Sequence, residues 1–195
     1  MTEFYLIRHG QTDWNLTGRW QGQSPDAPAL NETGCAQALA ALDLLPRANF
    51  AAIYSSDLLR ARQTAELIAE PLNLTVTLEP RLREMNLGVW EGMLSNDIKV
   101  QYPREFEERE KNPFDTHAPQ GESPRDVARR VIVAVNEIAD SHPGGSVIIV
   151  SHGIALAVII CQARGIPMDK VYENIPDNIT PHRVRYCHPP DYKFL

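Results

Sequence analysis

The chain is 195 residues long, 43% hydrophobic and 23% charged, enough for a sizeable core and within the range of one domain spanning residues 1–195. Its net charge of −6 argues against non-specific nucleic-acid binding, and no run of Lys and Arg offers a membrane or an anionic polymer a local patch, so any basic site must be a small pocket. Cys35, Cys161 and Cys187 are scattered without CxxC spacing; neither a zinc site nor a disulfide framework is suggested, and a reducing, cytoplasmic setting fits best.

The N-terminus has no basic stretch leading into an apolar core and a small-residue cleavage site, so no signal peptide is expected. Residues 4–7, 51–54, 74–78 and 147–150 are short apolar or β-branched runs, the kind expected of strands buried on both faces. Residues 34–45 and 58–69 have the three-to-four spacing of helices, with Asn31 or Thr33 as a cap for the first. Residues 88–121 break the rhythm with polar residues, three prolines and a charge run over 104–111. The charge run reads as a solvated helix face followed by a loop, and the whole segment as a candidate cover over a site. Ser123-Pro124-Arg125-Asp126 is a variant capping box with proline at the first helical position, opening a helix to about Ala139 that His142-Pro143-Gly144-Gly145 ends. Residues 147–163 form the only long apolar stretch; Ser151, His152 and Gly153 interrupt it, so it reads as a strand running into a helix and not as a membrane span. Alternating strands and helices predict an α/β fold, with a mainly parallel central sheet covered on both sides in three α/β/α layers.

In such sheets ligands gather beyond the carboxyl ends of the strands. Three predicted strands end there in polar residues: Arg8-His9-Gly10, Ser55-Ser56-Asp57 with Arg60 one helical turn on, and Ser151-His152-Gly153. Two histidines and two arginines from distant parts of the chain therefore converge on one crevice. Each alone reads as an ordinary structural or surface residue. Together they suit a phosphoryl dianion, because the planar guanidinium fork matches phosphate oxygens and a neutral imidazole has a lone pair to attack phosphorus.

The stretch Leu6-Ile7-Arg8-His9-Gly10-Gln11-Thr12-Asp13-Trp14-Asn15 resembles the opening motif of the histidine phosphatase superfamily, also called the phosphoglycerate mutase-like family. The resemblance continues through Arg19-Trp20-Gln21-Gly22, residues 55–65, residues 82–92 with Glu84 near their start, Gly121-Glu122-Ser123 and Ser151-His152-Gly153, in the family's order, to about Ala163. It implies a phosphoglycerate mutase-like fold and a metal-independent phosphomonoesterase without cofactor, acting on a small-molecule phosphate monoester, as a monomer or homodimer. Carried over by position, it makes His9 the nucleophile, with Arg8, Arg60 and a cationic His152 around the phosphoryl group. It makes Glu84 the proton donor, although the residues alone read Glu84 as an exposed loop carboxylate. Asn15 and the backbone of Gln21, Gly22 and Gly153 supply further substrate contacts.

Two other readings stay open. In a phosphoglycerate mutase the phosphohistidine returns its phosphoryl group to a bound sugar acid; Met85-Asn86-Leu87-Gly88 departs from the basic or His residue and Tyr-Gly that those mutases carry after the acid. A non-catalytic phospholigand-binding protein would be expected to lack His9 or Glu84, and both are present. His182-Arg183-Val184-Arg185 reads as an exposed polar edge to the last strand, with contact to a second anionic group as its alternative. His117 and His188 receive no role.

Overall fold

The computed structural model describes residues 1–187; His188 lies outside them. Its elements run β1 (Thr2–Arg8), α1 (Asp13–Thr17), α2 (Glu32–Leu44), β2 (Phe50–Ser55), α3 (Leu59–Ala69), β3 (Val76–Leu78), α4 (Ser95–Gln101), α5 (Pro103–Lys111), α6 (Pro124–Ser141), β4 (Ser146–Ser151), α7 (Gly153–Arg164) and β5 (His182–Tyr186), with 3-10 turns at Pro80–Leu82, Gly88–Trp90 and Met168–Asn174.

The strands form one sheet in the order β3-β2-β4-β1-β5. All neighbours are parallel except β5, which runs antiparallel to β1. β1 and β4 are apolar along their length because the sheet is covered on both faces. Phe4, Leu6, Val147 and Ile149 point into one core with α6 and α7. Tyr5, Ile7, Ile148 and Val150 point into the other with α2 and α3. Leu6, Ile7, Ile148 and Ile149 are wholly buried, which stabilises the fold by roughly 1.5–3 kcal/mol for each side chain. The result is the expected three-layer α/β/α arrangement. Its β1–β4 register pairs Ile7 with Val150 and Arg8 with Ser151, so the polar residues that follow both strands emerge side by side. Among the described residues no helix is long and apolar enough to cross a membrane.

Local signals set several boundaries. The Asn31 side chain accepts from Gly34 N–H at 2.8 Å and starts α2. Ser123 and Asp126 form the reciprocal box that starts α6, with Pro124 in its first turn. Gly10 and Gly34 lie backbone to backbone: a Cβ on Gly10 would stand 2.5 Å from the Gly34 carbonyl oxygen, and one on Gly34 would stand 2.1 Å from that of Gln11. That contact presses the loop after β1 against the start of α2.

Two expectations need correction. The run over 74–78 is a three-residue edge strand with Leu78 44% exposed, not a strand buried on both faces; it has only β2 to pair with. Residues 88–121 hold two helices where one solvated face and a loop are expected. Pro103 at the first position of α5 breaks the chain from α4, and Ile98 and Phe106 anchor the pair in the core beside Trp90. Ile98 is the lone buried residue of α4, so α4 offers no apolar periodicity to read. Finally, Arg183 and Arg185 sit on the exposed edge of β5 against the Glu3 carboxylate, which supports the polar-edge reading over a second anion site.

Replacing Ser123 with Ala removes the acceptor for Asp126 N–H and a partner for its carboxylate. The variant is expected to lose about 1 kcal/mol of stability, read as a lower urea midpoint with an unchanged m-value; an unshifted midpoint would show that the box contributes nothing to α6.

Candidate active site

Beyond the carboxyl ends of β1, β2 and β4 lies a cleft of about 290 Å³ whose walls include Arg8, His9, Asn15, Arg60 and Glu84. Arg8 closes β1 and His9 follows it, held by its N–H to the Ser151 carbonyl at 3.0 Å. Asn178 and Ile179 clamp the same strand end, through Asn178 Nδ2 to the His9 carbonyl at 2.5 Å and Ile179 N–H to that of Arg8 at 3.0 Å.

The His9 ring is 3% exposed. Its Nδ1 stands 2.8 Å from the Gly10 carbonyl oxygen, an acceptor only, which assigns the proton to Nδ1 and leaves a lone pair on Nε2. Arg60 Nε donates to that lone pair at 3.2 Å, and another Arg60 nitrogen donates to the Gly22 carbonyl at 2.9 Å. Thr64 ties the two segments together: its hydroxyl accepts from Gly10 N–H and donates to the Arg60 carbonyl. Arg8 reaches the Pro176 carbonyl at 3.1 Å, and its buried Nε has no partner among the described residues.

Burial, then the charges of Arg60 and Arg8, hold the His9 imidazole well below the usual histidine pKa. His152, fully buried with its ring centroid 5.2 Å from that of His9, is held down by burial and then by Arg60. Both rings are thus held in their neutral forms by burial and by the neighbouring arginines. The His152 ring stands behind His9 and not on the cleft wall; Nε2 lies 2.8 Å from the Ser56 hydroxyl and Nδ1 has no partner among the described residues. Burial also brings the Arg60 guanidinium down to about 10, still charged at neutral pH.

Glu84 lines the cleft and is not a free loop carboxylate. Its Oε1 accepts from its neighbour Met85 N–H at 2.8 Å, and both oxygens lie 3.2 Å from Ile154 N–H at the start of α7. Arg130, on α6, grips the backbone beneath it, donating to the carbonyls of Arg81, Arg83 and Glu84 at 2.6–2.8 Å while Glu122 binds the same guanidinium. Asn15 gives its side-chain oxygen to Thr12 in the α1 capping box, so its NH₂ is the end left for a ligand. Gly22 has φ +50°, and a Cβ there would stand 2.4 Å from Glu91 Oε1, while Gln21 has a buried, unpartnered side-chain oxygen in the cleft. Gly153 packs behind the wall; a Cβ on it would lie 3.4 Å from Glu84 Oε2. Sequence reasoning missed Thr64, Arg130 and Asn178 as supports, and Arg109 and Tyr172 as walls. Among the described residues no group of three His, Cys, Asp or Glu side chains stands ready for a metal ion.

The model of the histidine phosphatase superfamily (branch 1) matches residues 4–189. Phosphoserine phosphatase 1 of Hydrogenobacter thermophilus is 34% identical over 178 residues, covering 91% of this chain and 83% of that one. A probable phosphoglycerate mutase GpmB of Cronobacter sakazakii is 36% identical over 167 residues, covering 86% and 77%. The mycobacterial glucosyl-3-phosphoglycerate phosphatase, solved with VO3, superposes with a TM-score of 0.83 at 32% identity, covering 93% of this chain and 90% of that one.

The neutral histidines make a prediction about stability. Unfolded histidines titrate near 6.5 while these two stay unprotonated in the fold. The unfolded chain then binds more protons below that pH, and stability falls on acidification by up to about 1.4 kcal/mol per pH unit for each ring. His9→Gln and His152→Gln should each remove one ring's share, half of the combined two-ring slope, in urea titrations between about pH 7 and about pH 5.5. An unchanged slope in both would mean that the folded rings take up protons.

Proposed function

The chain belongs to the histidine phosphatase superfamily, and from that membership we propose that it hydrolyses a small-molecule phosphate monoester through a phosphohistidine on His9. The observation that carries this reading is the buried, neutral His9 ring with its proton on Nδ1 and its Nε2 lone pair met by Arg60. Arg8, Arg60 and the NH₂ of Asn15 take the phosphoryl oxygens, and Arg60 Nε turns from His9 to the dianion, freeing the lone pair. His152 takes up a proton as the dianion binds and meets its charge from behind the His9 ring.

His9 Nε2 then attacks phosphorus in line. The N–P bond forms as the ester P–O bond breaks, and Glu84 gives its proton to the leaving oxygen. In the second half Glu84 takes a proton from water as that water's oxygen bonds to phosphorus and the N–P bond breaks, releasing phosphate and restoring the acid. Charge on the equatorial oxygens is met by arginines already fixed on the cleft wall. Residues 88–121 act as the cover of the site; Arg109 of α5 supports this by lining the cleft. The free thiols of Cys35, Cys161 and Cys187 support a cytoplasmic, reducing setting.

Brief incubation with labelled substrate in the presence of EDTA, followed by alkaline quench, should leave acid-labile, alkali-stable label on the wild type and none on His9→Ala, with inorganic phosphate as product. Absence of label in the wild type would remove His9 as the nucleophile. An isomerised phosphate ester in place of inorganic phosphate would establish the mutase reading, which the likeness to the probable phosphoglycerate mutases favours.

A general acid matters most for a poor leaving group. Glu84→Gln should therefore slow an alkyl phosphate by about 10²–10⁴-fold and p-nitrophenyl phosphate far less, because nitrophenolate departs without a proton. Equal slowing of both would leave Glu84 with a shaping role only.

A further inference from the structure

The cleft holds more positive charge than a phosphoryl group uses. Arg8, Arg19, Arg60 and Arg109 all line it, and among the described residues Glu84 is its single lining carboxylate. Arg8 and Arg60 flank His9 at the sheet end. Arg109 comes from the opposite side, out of the charge run on α5.

Its setting differs from that of its neighbours in the run. The Arg109 guanidinium carbon lies 4.9 Å from the ring centroid of Trp20 and 4.7 Å from that of Tyr172. Both rings belong to the cleft wall. Arg109 forms no salt bridge with any described carboxylate, and its Nε is buried without an acceptor. By contrast Lys111, two residues on, pairs with Glu107 at 2.7 Å.

Aromatic rings attract a guanidinium through its charge and its flat face, and stacking does not itself use the in-plane N–H groups; the Nε of Arg109 is one that stays without an acceptor among the described residues. Packing also fixes the long side chain in advance, so less rotamer freedom is lost when a ligand arrives. The edge of one guanidinium presents parallel donors whose natural complement is a planar monoanion, a carboxylate, bound in fork geometry. A second phosphoryl dianion would need further cations, and the remaining one, Arg19, is exposed and committed to the Gly92 carbonyl at 2.6 Å. A cleft of about 290 Å³ is at the small end for ligand sites and suits a compact metabolite.

We propose that Arg109, held between Trp20 and Tyr172, is a carboxylate-recognition subsite, and that the preferred substrates are small phosphate monoesters that also carry a carboxylate. The proposal rests on the phosphoryl-pocket reading of Arg8, His9 and Arg60, and it adds the second contact point. The phosphoryl group sits at the strand ends, the acid function meets the cover, and Met85, Leu87 and Ile154 flank the carbon skeleton between them.

The test compares esters that differ in the carboxylate alone: 3-phosphoglycerate with glycerol 3-phosphate, and O-phosphoserine with O-phosphoethanolamine. Wild-type kcat/KM should favour the acid of at least one pair by roughly 10–100-fold, the value of one charge-assisted pair. Arg109→Gln should bring that ratio to within about threefold of unity, losing far more on the acid than on its partner, and Arg109→Lys should fall between because charge remains without the fork. Thermal melts of each variant accompany the kinetics. A wild-type ratio near one in both pairs, a preference that survives in Arg109→Gln, or equal loss on both members of a pair would each overturn the proposal. Calorimetric Kd values for 3-phosphoglycerate and glycerol 3-phosphate on the His9→Ala variant read the subsite without turnover. If no ester is hydrolysed, the phosphatase reading fails, while a Kd ratio that collapses in the His9→Ala, Arg109→Gln double variant still supports the subsite and one that persists defeats it.

Discussion

Arg60 is a cation buried to 3% exposure with no salt bridge among the described residues, and much of the cleft is arranged around that cost. Removing a charge from water costs several kcal/mol unless its donors are met. Two acceptors meet them here, His9 Nε2 and the Gly22 carbonyl. The second depends on a backbone that bends to φ +50° and tolerates no Cβ, because Glu91 occupies that space. Glu91 in turn accepts from Gln23 and Leu87 N–H, at 2.7 and 3.1 Å. Glu91 thus joins the loop that holds Arg60 to the segment that carries Glu84.

The same buried charge sets the chemistry of its neighbours. Arg60 is among the groups that hold His9 and His152 in their neutral forms, and a neutral imidazole is the nucleophilic one. Its hydrogen bond to His9 also occupies the Nε2 lone pair. A phosphoryl dianion is the better acceptor for a guanidinium, so in the proposed reaction substrate binding frees the His9 lone pair. In that proposal a single donor, Arg60 Nε, governs whether the lone pair is protected or exposed.

How legible this was depends on whether a residue acts through its position in the chain or through what it packs against. His9, His152 and Arg60 follow apolar strand runs, and a parallel sheet delivers such residues to one edge; the pattern is written locally. Asn31 and Ser123 were readable for the same reason, since a cap needs only the next turn of its own helix. Glu84 needed the family resemblance, because its carboxyl group is placed by a contact with the N-terminus of α7, some 70 residues away. Arg130 and Arg109 were hidden altogether. Each stands on a helix among other charged residues, where a solvated face is the ordinary outcome. One instead reaches three carbonyls, and the other lies between two rings supplied by distant segments. Neither arrangement leaves a trace in spacing.

In the proposed reaction Glu84 is the proton donor, and the support beneath it suits that task. A group that gives a proton in one half-reaction and takes one in the next has to keep the same place while its charge changes, since a shift of 1 Å can cost about 10²-fold. A carboxylate held only by an ion pair would move when that charge vanished. Glu84 is instead fixed through its backbone, whose carbonyl takes a donor from Arg130 and another from Gln23, both at 2.8 Å. Those bonds are to a carbonyl oxygen and do not depend on the protonation of the carboxyl group. The charge of Arg130 is met separately by Glu122, so the support stays balanced whichever state Glu84 is in.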